Sequence, residues 1–170
     1  MNMFILDLNP VEIAKAHCDK HVPKMIVETL QMCGSALIRH GSKNLPLTKS
    51  GKPLRGGYHH HPVTKWIGDT RANFRFAISV GLALCAEYTF RYNKQHFSEI
   101  GLLYMKLYET DIPDGQLTPF ALAMPDIYKQ NDAVAAYRLY YFNDKRTKIK
   151  FQYLKGREKP NWLIDMEKCS

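Results

Sequence analysis

The stretch HCDKHVPKMIVETLQMCGSALI, residues 17–38, decides the fold, because Val22, Met25, Ile26, Leu30, Cys33, Leu37 and Ile38 recur in it at helical spacing. That period draws one apolar stripe along a helix of about residues 22–39, and such a stripe is made for a core. His21, Lys24, Glu28 and Gln31 follow one another by three, four and three positions on another face. At about 100° and about 1.5 Å per residue they form a row roughly 15 Å long. A base, a cation and a carboxylate therefore point the same way. As plain surface, Lys24 and Glu28 are an i,i+4 pair contributing about 0.2–0.5 kcal/mol; as a site, the row is chemistry aligned toward one ligand. His17 and His21 also share the HxxxH spacing of zinc sites, but without the glutamate that follows the first His in the metalloprotease pattern. Pro23 favours a helix start near His21 or Val22, which puts the two histidines on different segments. No metal and no cofactor are expected.

Working outward, Asn9 is a ready N-cap, Pro10 suits the first helical position and Glu12 the third, which predicts a short helix over Pro10–Ala16. Gly41 ends the helix that follows. Residues 41–61 have the Gly, Pro, Ser and Lys content of a loop, made basic by Lys43, Lys49, Lys52 and Arg55. Pro62 opens a third and longest helix, whose apolar stripe of Val63, Trp66, Ile67, Thr70, Phe74, Ala77, Ile78, Gly81, Leu84, Cys85 and Tyr88 runs to about Tyr92. Ser98 is a cap for a helix to about Tyr108, Asp111–Gly115 is a turn, and Thr118 with Pro119 opens one further helical turn. Asp132 caps a helix over Ala133–Phe142, and residues 143–170 read as an irregular tail rich in basic and aromatic residues. Alternating strands, internal repeats and a glycine-rich phosphate loop are all missing from the sequence. The expectation is a single compact all-α domain, residues 1–170, with a long central helix.

The chain has 170 residues, and 24 Lys and Arg against 16 Asp and Glu give a net charge of +8. A balance this basic makes a polyanion the natural partner. From Arg138 to Lys168 the cations interleave with Tyr137, Tyr140, Tyr141, Phe142, Phe151, Tyr153 and Trp162, a mixture suited to phosphate contact plus base stacking. The alternative is that these aromatics dock on the core while the lysines face water. Cys18, Cys33, Cys85 and Cys169 are scattered without CxxC spacing, which fits reduced thiols rather than a disulfide frame or a zinc ribbon. Met1–Leu6 lacks the basic n-region and long apolar core of a signal peptide, and the longest apolar run is too short to span a bilayer. A soluble, cytoplasmic protein is expected.

Four pieces of sequence resemble the pyrimidine-dimer DNA glycosylase family, the small all-α repair enzymes of the phage endonuclease V type. They are the opening segment with the first helix; Asp19-Lys20-His21 with Glu28 seven after the His; Gly57-Tyr58 with His61-Pro62 before a long helix; and Lys159-Pro160-Asn161-Trp162. Residues Lys94 to Gln130 look like an insertion relative to the shortest members. The resemblance implies a glycosylase coupled to an abasic-site lyase, phage-encoded and acting in the host cytoplasm, in which the chain's own α-amine attacks C1′ of the damaged nucleotide. Such an amine has an ordinary pKa of about 7.7–8.0 against about 10.4 for lysine, so an appreciable part of it is neutral near pH 7. Glu28 and His21 are the implied assisting residues, with Met1 and Asn2 as the chain start. The implied DNA contacts are Lys20, Lys24, His61, Lys65, Arg71, Arg75, Lys145, Arg146, Lys148, Lys159 and Trp162, on double-stranded DNA. The chain departs from the family at two places. Members begin Met-Thr and lose the Met, whereas Asn2 is bulky enough that Met1 is expected to stay, making Met1's amine the nucleophile or leaving none. Val27 stands where the family carries a DNA-gripping arginine, for which Lys20 or Lys24 is no planar bidentate substitute.

Two other readings stand beside this one. The first is a protein that binds or bends DNA without cutting it. The second is a metal-dependent hydrolase using His17, His21, His59, His60 or His61, although three histidines before a helix N-terminus also suit backbone capping.

Overall fold

The computed structural model describes residues 2–169, in the order α1 (Pro10–Ala16), α2 (His21–Arg39), α3 (Pro62–Asp69), α4 (Arg71–Tyr92), α5 (Ser98–Lys106), α6 (Ala133–Tyr140), the one-turn α7 (Arg146–Lys148) and α8 (Asn161–Lys168). Short 3-10 turns lie at Glu109–Asp111 and Asp126–Tyr128. The fold is all-α and compact; among the described residues the nearest thing to a strand is one isolated antiparallel bridge, Leu47 to Pro53, in the basic loop. No helix is long and apolar enough to cross a membrane among these residues.

Local chemistry sets the first two helices. The Asn9 side chain accepts from Val11 N and Pro10 occupies the first turn, so α1 starts where its cap dictates. In α2 the residues Val22, Met25, Ile26, Cys33 and Leu37 are buried, as the apolar period requires. Helix α4 lies in the middle, packed on α1, α2, α3 and α5, and it buries residues around much of its circumference. Gly81 permits the closest approach: a Cβ there would meet Leu102 at 2.9 Å and Thr29 at 3.1 Å, so α2, α4 and α5 converge on a bare backbone.

Four expectations need correction. The helix expected over residues 62–92 is two helices, broken at Thr70, whose backbone is extended (φ −141°, ψ 155°). Thr70 Oγ1 accepts from Asn73 N at 3.1 Å and donates to Gln116 O at 3.0 Å, while Arg71 N donates to Pro113 O at 2.8 Å. Asn73 then ties the break to the distant loop, donating to Trp66 O and to Thr118 Oγ1, each at 2.8 Å, and accepting from Thr118 N at 2.9 Å. Thr118 is spent on that stitch and starts no helix. Ser98 is inside α5 rather than capping it, with His96 Nδ1 accepting its N–H. Finally, the helix begun at Asp132 continues beyond Phe142 through a π-helical turn, Tyr141–Lys145, into α7, and the expected irregular tail contains α8, anchored by buried Leu163.

The tail is clamped from inside. Arg91 of α4 has a fully buried side chain that donates to Glu87, to Asp19, and to the carbonyls of His17 and Lys15, at 2.7–3.0 Å. Asp19 accepts from Leu154 N at 2.8 Å, and Glu87 takes both Nε and Nη2 of Arg157 at 2.8 and 2.9 Å. Burial alone pushes the Glu87 carboxyl up, but hydrogen bonds from Arg157 and Arg91 outweigh it and leave it below the usual carboxylate range. One guanidinium thus joins the α1–α2 junction and α4, and through its carboxylates reaches the C-terminal segment. Arg91→Leu leaves Glu87 and Asp19 buried without that partner, and should lower the unfolding free energy by about 3–5 kcal/mol in urea titration. A loss below about 1 kcal/mol contradicts the clamp.

Candidate functional site

Residues 2–6 run without regular structure, yet Asn2, Met3, Phe4, Ile5 and Leu6 are all buried. Buried non-helical backbone needs partners, and here side chains supply them. Asn2 N donates to Glu28 Oε2 at 2.8 Å, Met3 N donates to Asn2 Oδ1 at 2.9 Å, and Leu6 O accepts from Arg138 Nε at 2.9 Å. Asn2 Nδ2 in turn donates to Ala123 O at 2.6 Å. The start of the described chain is thus held against the polar row of α2.

Glu28 is only 8 % exposed, and its other oxygen faces Lys24 Nζ at 3.8 Å. The pair is asymmetric, since the Lys24 side chain is 62 % exposed, so the lysine adds little stability and leaves the carboxylate pointed at Asn2. A cavity of about 60 Å³ opens here, lined by Asn2, Phe4, His21, Lys24, Glu28 and Lys145, with Met25 behind. Lys145 reaches it from the last position of the π-helical turn, with Nζ 4.5 Å from the Tyr140 ring centre and 6.0 Å from that of Phe4. A π turn re-aims the side chains that follow it, and such turns recur at functional sites. Two cations, one carboxylate and one backbone nitrogen therefore share a small space.

Behind them lies a histidine pair. His21 Nδ1 shares a hydrogen bond of 2.7 Å with the Tyr141 hydroxyl, which also accepts from Cys18 N at 3.1 Å, and the ring stacks on Phe4 with centres 5.5 Å apart. His17 Nδ1 bonds Ile13 O at 2.7 Å, while its Nε2 is buried without a hydrogen-bond partner. Burial pushes His17 down to about 4, and burial together with His17, Lys24 and Lys145 pushes His21 down to about 3. Both rings are neutral near pH 7. His21 is thus a buried, neutral ring at the cavity wall. Among the described residues no three His, Cys, Asp or Glu are grouped as metal ligands, which leaves the histidine-metal reading without a ligand set there.

Of the residues singled out from the sequence, Asn2, His21, Lys24, Glu28 and Lys145 come together; Met1 lies outside the described residues. Lys20 is exposed just ahead of α2. Lys65 lies on α3, exposed, beside His59 and His60 in a second cavity of about 490 Å³. His61 is the N-cap of α3, its Nδ1 accepting from Val63 N at 3.3 Å. The others do not line the small cavity. Arg71 pairs with Asp114 at 3.2 Å and Arg75 with Glu109 through Nε at 2.8 Å. Lys148 pairs with Asp144 at 2.6 Å, and Lys159 and Arg146 both meet Glu167, at 2.9 and 3.7 Å.

The tail aromatics are mostly packing. Tyr137 and Tyr141 are fully buried, Tyr140 and Phe142 nearly so, and the Tyr153 hydroxyl donates to Ala16 O at 2.8 Å. Trp162 packs against the core under the Arg138 guanidinium, 5.3 Å from its ring. These rings follow the docking alternative: helix α6 carries Tyr137 and Tyr140 inward, the π turn Tyr141 and Phe142, and the hydroxyl bond to Ala16 O holds Tyr153. Sequence reasoning missed the π turn that brings Lys145 in and the Arg91 clamp that fixes Asp19. Comparison with family models, with curated proteins and with solved structures gives no match.

The histidine pair makes a pH prediction. Folded His17 and His21 resist protonation while the unfolded chain binds protons below about 6.5, so the unfolded state gains as pH falls from there toward about 4 for His17 and about 3 for His21. The urea midpoint should therefore be lower at about pH 5 than at about pH 7.5. An equal or higher midpoint at the lower pH contradicts two buried neutral rings.

Proposed function

We propose that this chain is a DNA glycosylase with abasic-site lyase activity on damaged or modified pyrimidines in duplex DNA, akin to the pyrimidine-dimer glycosylases whose sequence pattern it resembles. The single observation that carries the reading is the 2.8 Å contact from Asn2 N to Glu28 Oε2 in a pocket with two lysines. Removal of Met1 would turn that nitrogen into a primary amine, so the reading takes a processed start, against the expectation that Met1 stays.

The chemistry then needs no metal. The amine nitrogen bonds to C1′ as the bond from C1′ to the base breaks, and the base leaves with a proton. The sugar ring then opens by breaking the bond from C1′ to O4′; the nitrogen's remaining proton passes to O4′, which stays on C4′ as a hydroxyl, and a C=N bond to the protein is left. Glu28, freed from the amine, accepts the proton removed from C2′, and the 3′ phosphate departs by elimination. In this reading Lys24 and Lys145, the latter also paired with Asp144 at 3.3 Å, offer charge to an approaching phosphate through Coulomb attraction in a partly desolvated pocket. His21 keeps Phe4 and the Tyr141 hydroxyl in register behind the carboxylate. The base must leave the stack to bring C1′ to the amine, which requires bent or opened DNA.

A second reading is favoured by the same contact in a chain that keeps Met1. Asn2 N is then an amide tied to a carboxylate, and the fold serves a DNA-binding protein that does not cut. Borohydride reduction in the presence of duplex DNA with an abasic site separates the two. The glycosylase reading expects a covalent adduct with the wild-type chain, and about 10²–10⁴-fold slower strand cleavage by Glu28→Gln. DNA binding that weakens steeply with salt, with neither adduct nor cleavage, supports the binding module and removes the enzyme.

A further inference from the structure

The motif Gly57-Tyr58 has no part in the pocket described above, yet it is an exposed feature on a tightly constrained backbone. Tyr58 has φ +59°, in the left-handed region that a bulky side chain rarely adopts, and it is 58 % exposed. Its ring makes no aromatic contact among the described residues, so the core does not hold it there. The backbone does. Gly57 N donates to Ser35 Oγ at 2.7 Å, Ser35 Oγ donates to Gly57 O at 2.8 Å, and His61 N donates to Tyr58 O at 2.9 Å. Gly56, also at positive φ (+68°), leans on Ser35 so closely that a Cβ would collide with Ser35 Oγ and lie 2.9 Å from Ser35 N. Side chains that fix a strained backbone and leave its aromatic ring in solvent are an arrangement the fold itself does not use.

The position matters as much as the strain. Gly57 rests on Gln31, where a Cβ would lie 3.6 Å from the Gln31 side chain. Gln31 follows Glu28 by three residues on the same row of α2. Ser35, Arg39, His59, His60 and Lys65 line the 490 Å³ cavity together with Ile38, Thr64 and Asp69, whose carboxylate takes Arg39 Nη1 at 2.9 Å, so Lys65 is the cation there without that acid. We propose that Tyr58 is a nucleobase-stacking residue, its backbone fixed by the Gly56-Gly57 arch so that the exposed ring is presented to a DNA base beside the nucleotide that enters the Glu28 pocket. The inference rests on the nucleic-acid reading above and adds to it the group that would support opened DNA, in place of the tail aromatics that packing consumes. A backbone already fixed loses little freedom when the ring above it stacks, and an aromatic platform accepts any base.

The test compares the wild-type chain with Tyr58→Gly, Tyr58→Phe and Tyr58→Trp, reading anisotropy on duplex DNA that carries 2-aminopurine next to an abasic site. Glycine suits positive φ, so Tyr58→Gly should melt no lower than wild type and yet bind about tenfold more weakly, with the slope against salt unchanged because no phosphate contact is lost. Tyr58→Phe and Tyr58→Trp should stay within about twofold of wild type and keep the 2-aminopurine quench. Wild-type binding together with equal binding by Tyr58→Gly overturns the role of Tyr58 and leaves the nucleic-acid reading standing. A wild-type chain that does not bind DNA overturns both.

Discussion

The fold depends on burying an extended opening segment inside a helical protein. Non-helical backbone in a core is costly unless each polar group finds a partner, and the interior turns of a helix have no spare backbone groups to offer it. Side chains must do this work: Glu28 receives the first described N–H, Asn2 caps its own successor, and Arg138 takes the carbonyl of Leu6. A fold that needed only stability has a simpler solution in leaving the segment outside.

Arg91 provides the frame in which this is possible. It fixes the turn between α1 and α2 through the carbonyls of Lys15 and His17 and through Asp19, and α2 leaves that turn carrying His21, Lys24 and Glu28. Because Asp19 and Glu87 also hold Leu154 N and Arg157, the C-terminal segment closes over the same junction. The charge of the protein is distributed accordingly. Many cations of the basic second half are matched to acids, as in Lys148–Asp144 and Lys159–Glu167, while Lys20 and Lys24 remain exposed near the cavity. Net charge alone therefore overstates how broad a polyanion surface the molecule presents.

Local signals were legible where local forces decide. The Asn9-Pro10-Glu12 start of α1 and the apolar period of α2 were readable because capping and burial act within a few residues. The break at Thr70 was not, since its reason is a stitch from Asn73 to Thr118, 45 positions away; the apolar stripe runs straight through it. The inward turn of Tyr137, Tyr140 and Tyr141 was one of two open possibilities until packing chose. Within the site, the row of α2 gave Lys24 and Glu28 their common direction, and the resemblance paired Glu28 with the chain start. Lys145 was named only as one of many basic residues, because a π turn shifts its direction and leaves no trace in periodicity. The arch under Tyr58 likewise shows in sequence only as two glycines before an aromatic.

The central proposal is that Glu28 and an amine at the start of the chain act on the same deoxyribose, the amine at C1′ and Glu28 at C2′. Mass spectrometry decides it most directly: the intact mass reports whether Met1 is present, and peptide mapping of the borohydride-reduced DNA adduct locates the attached nucleotide. The account predicts a chain lacking Met1 with the adduct on the α-nitrogen of Asn2. An adduct on a lysine, or an active chain whose start is blocked, contradicts it.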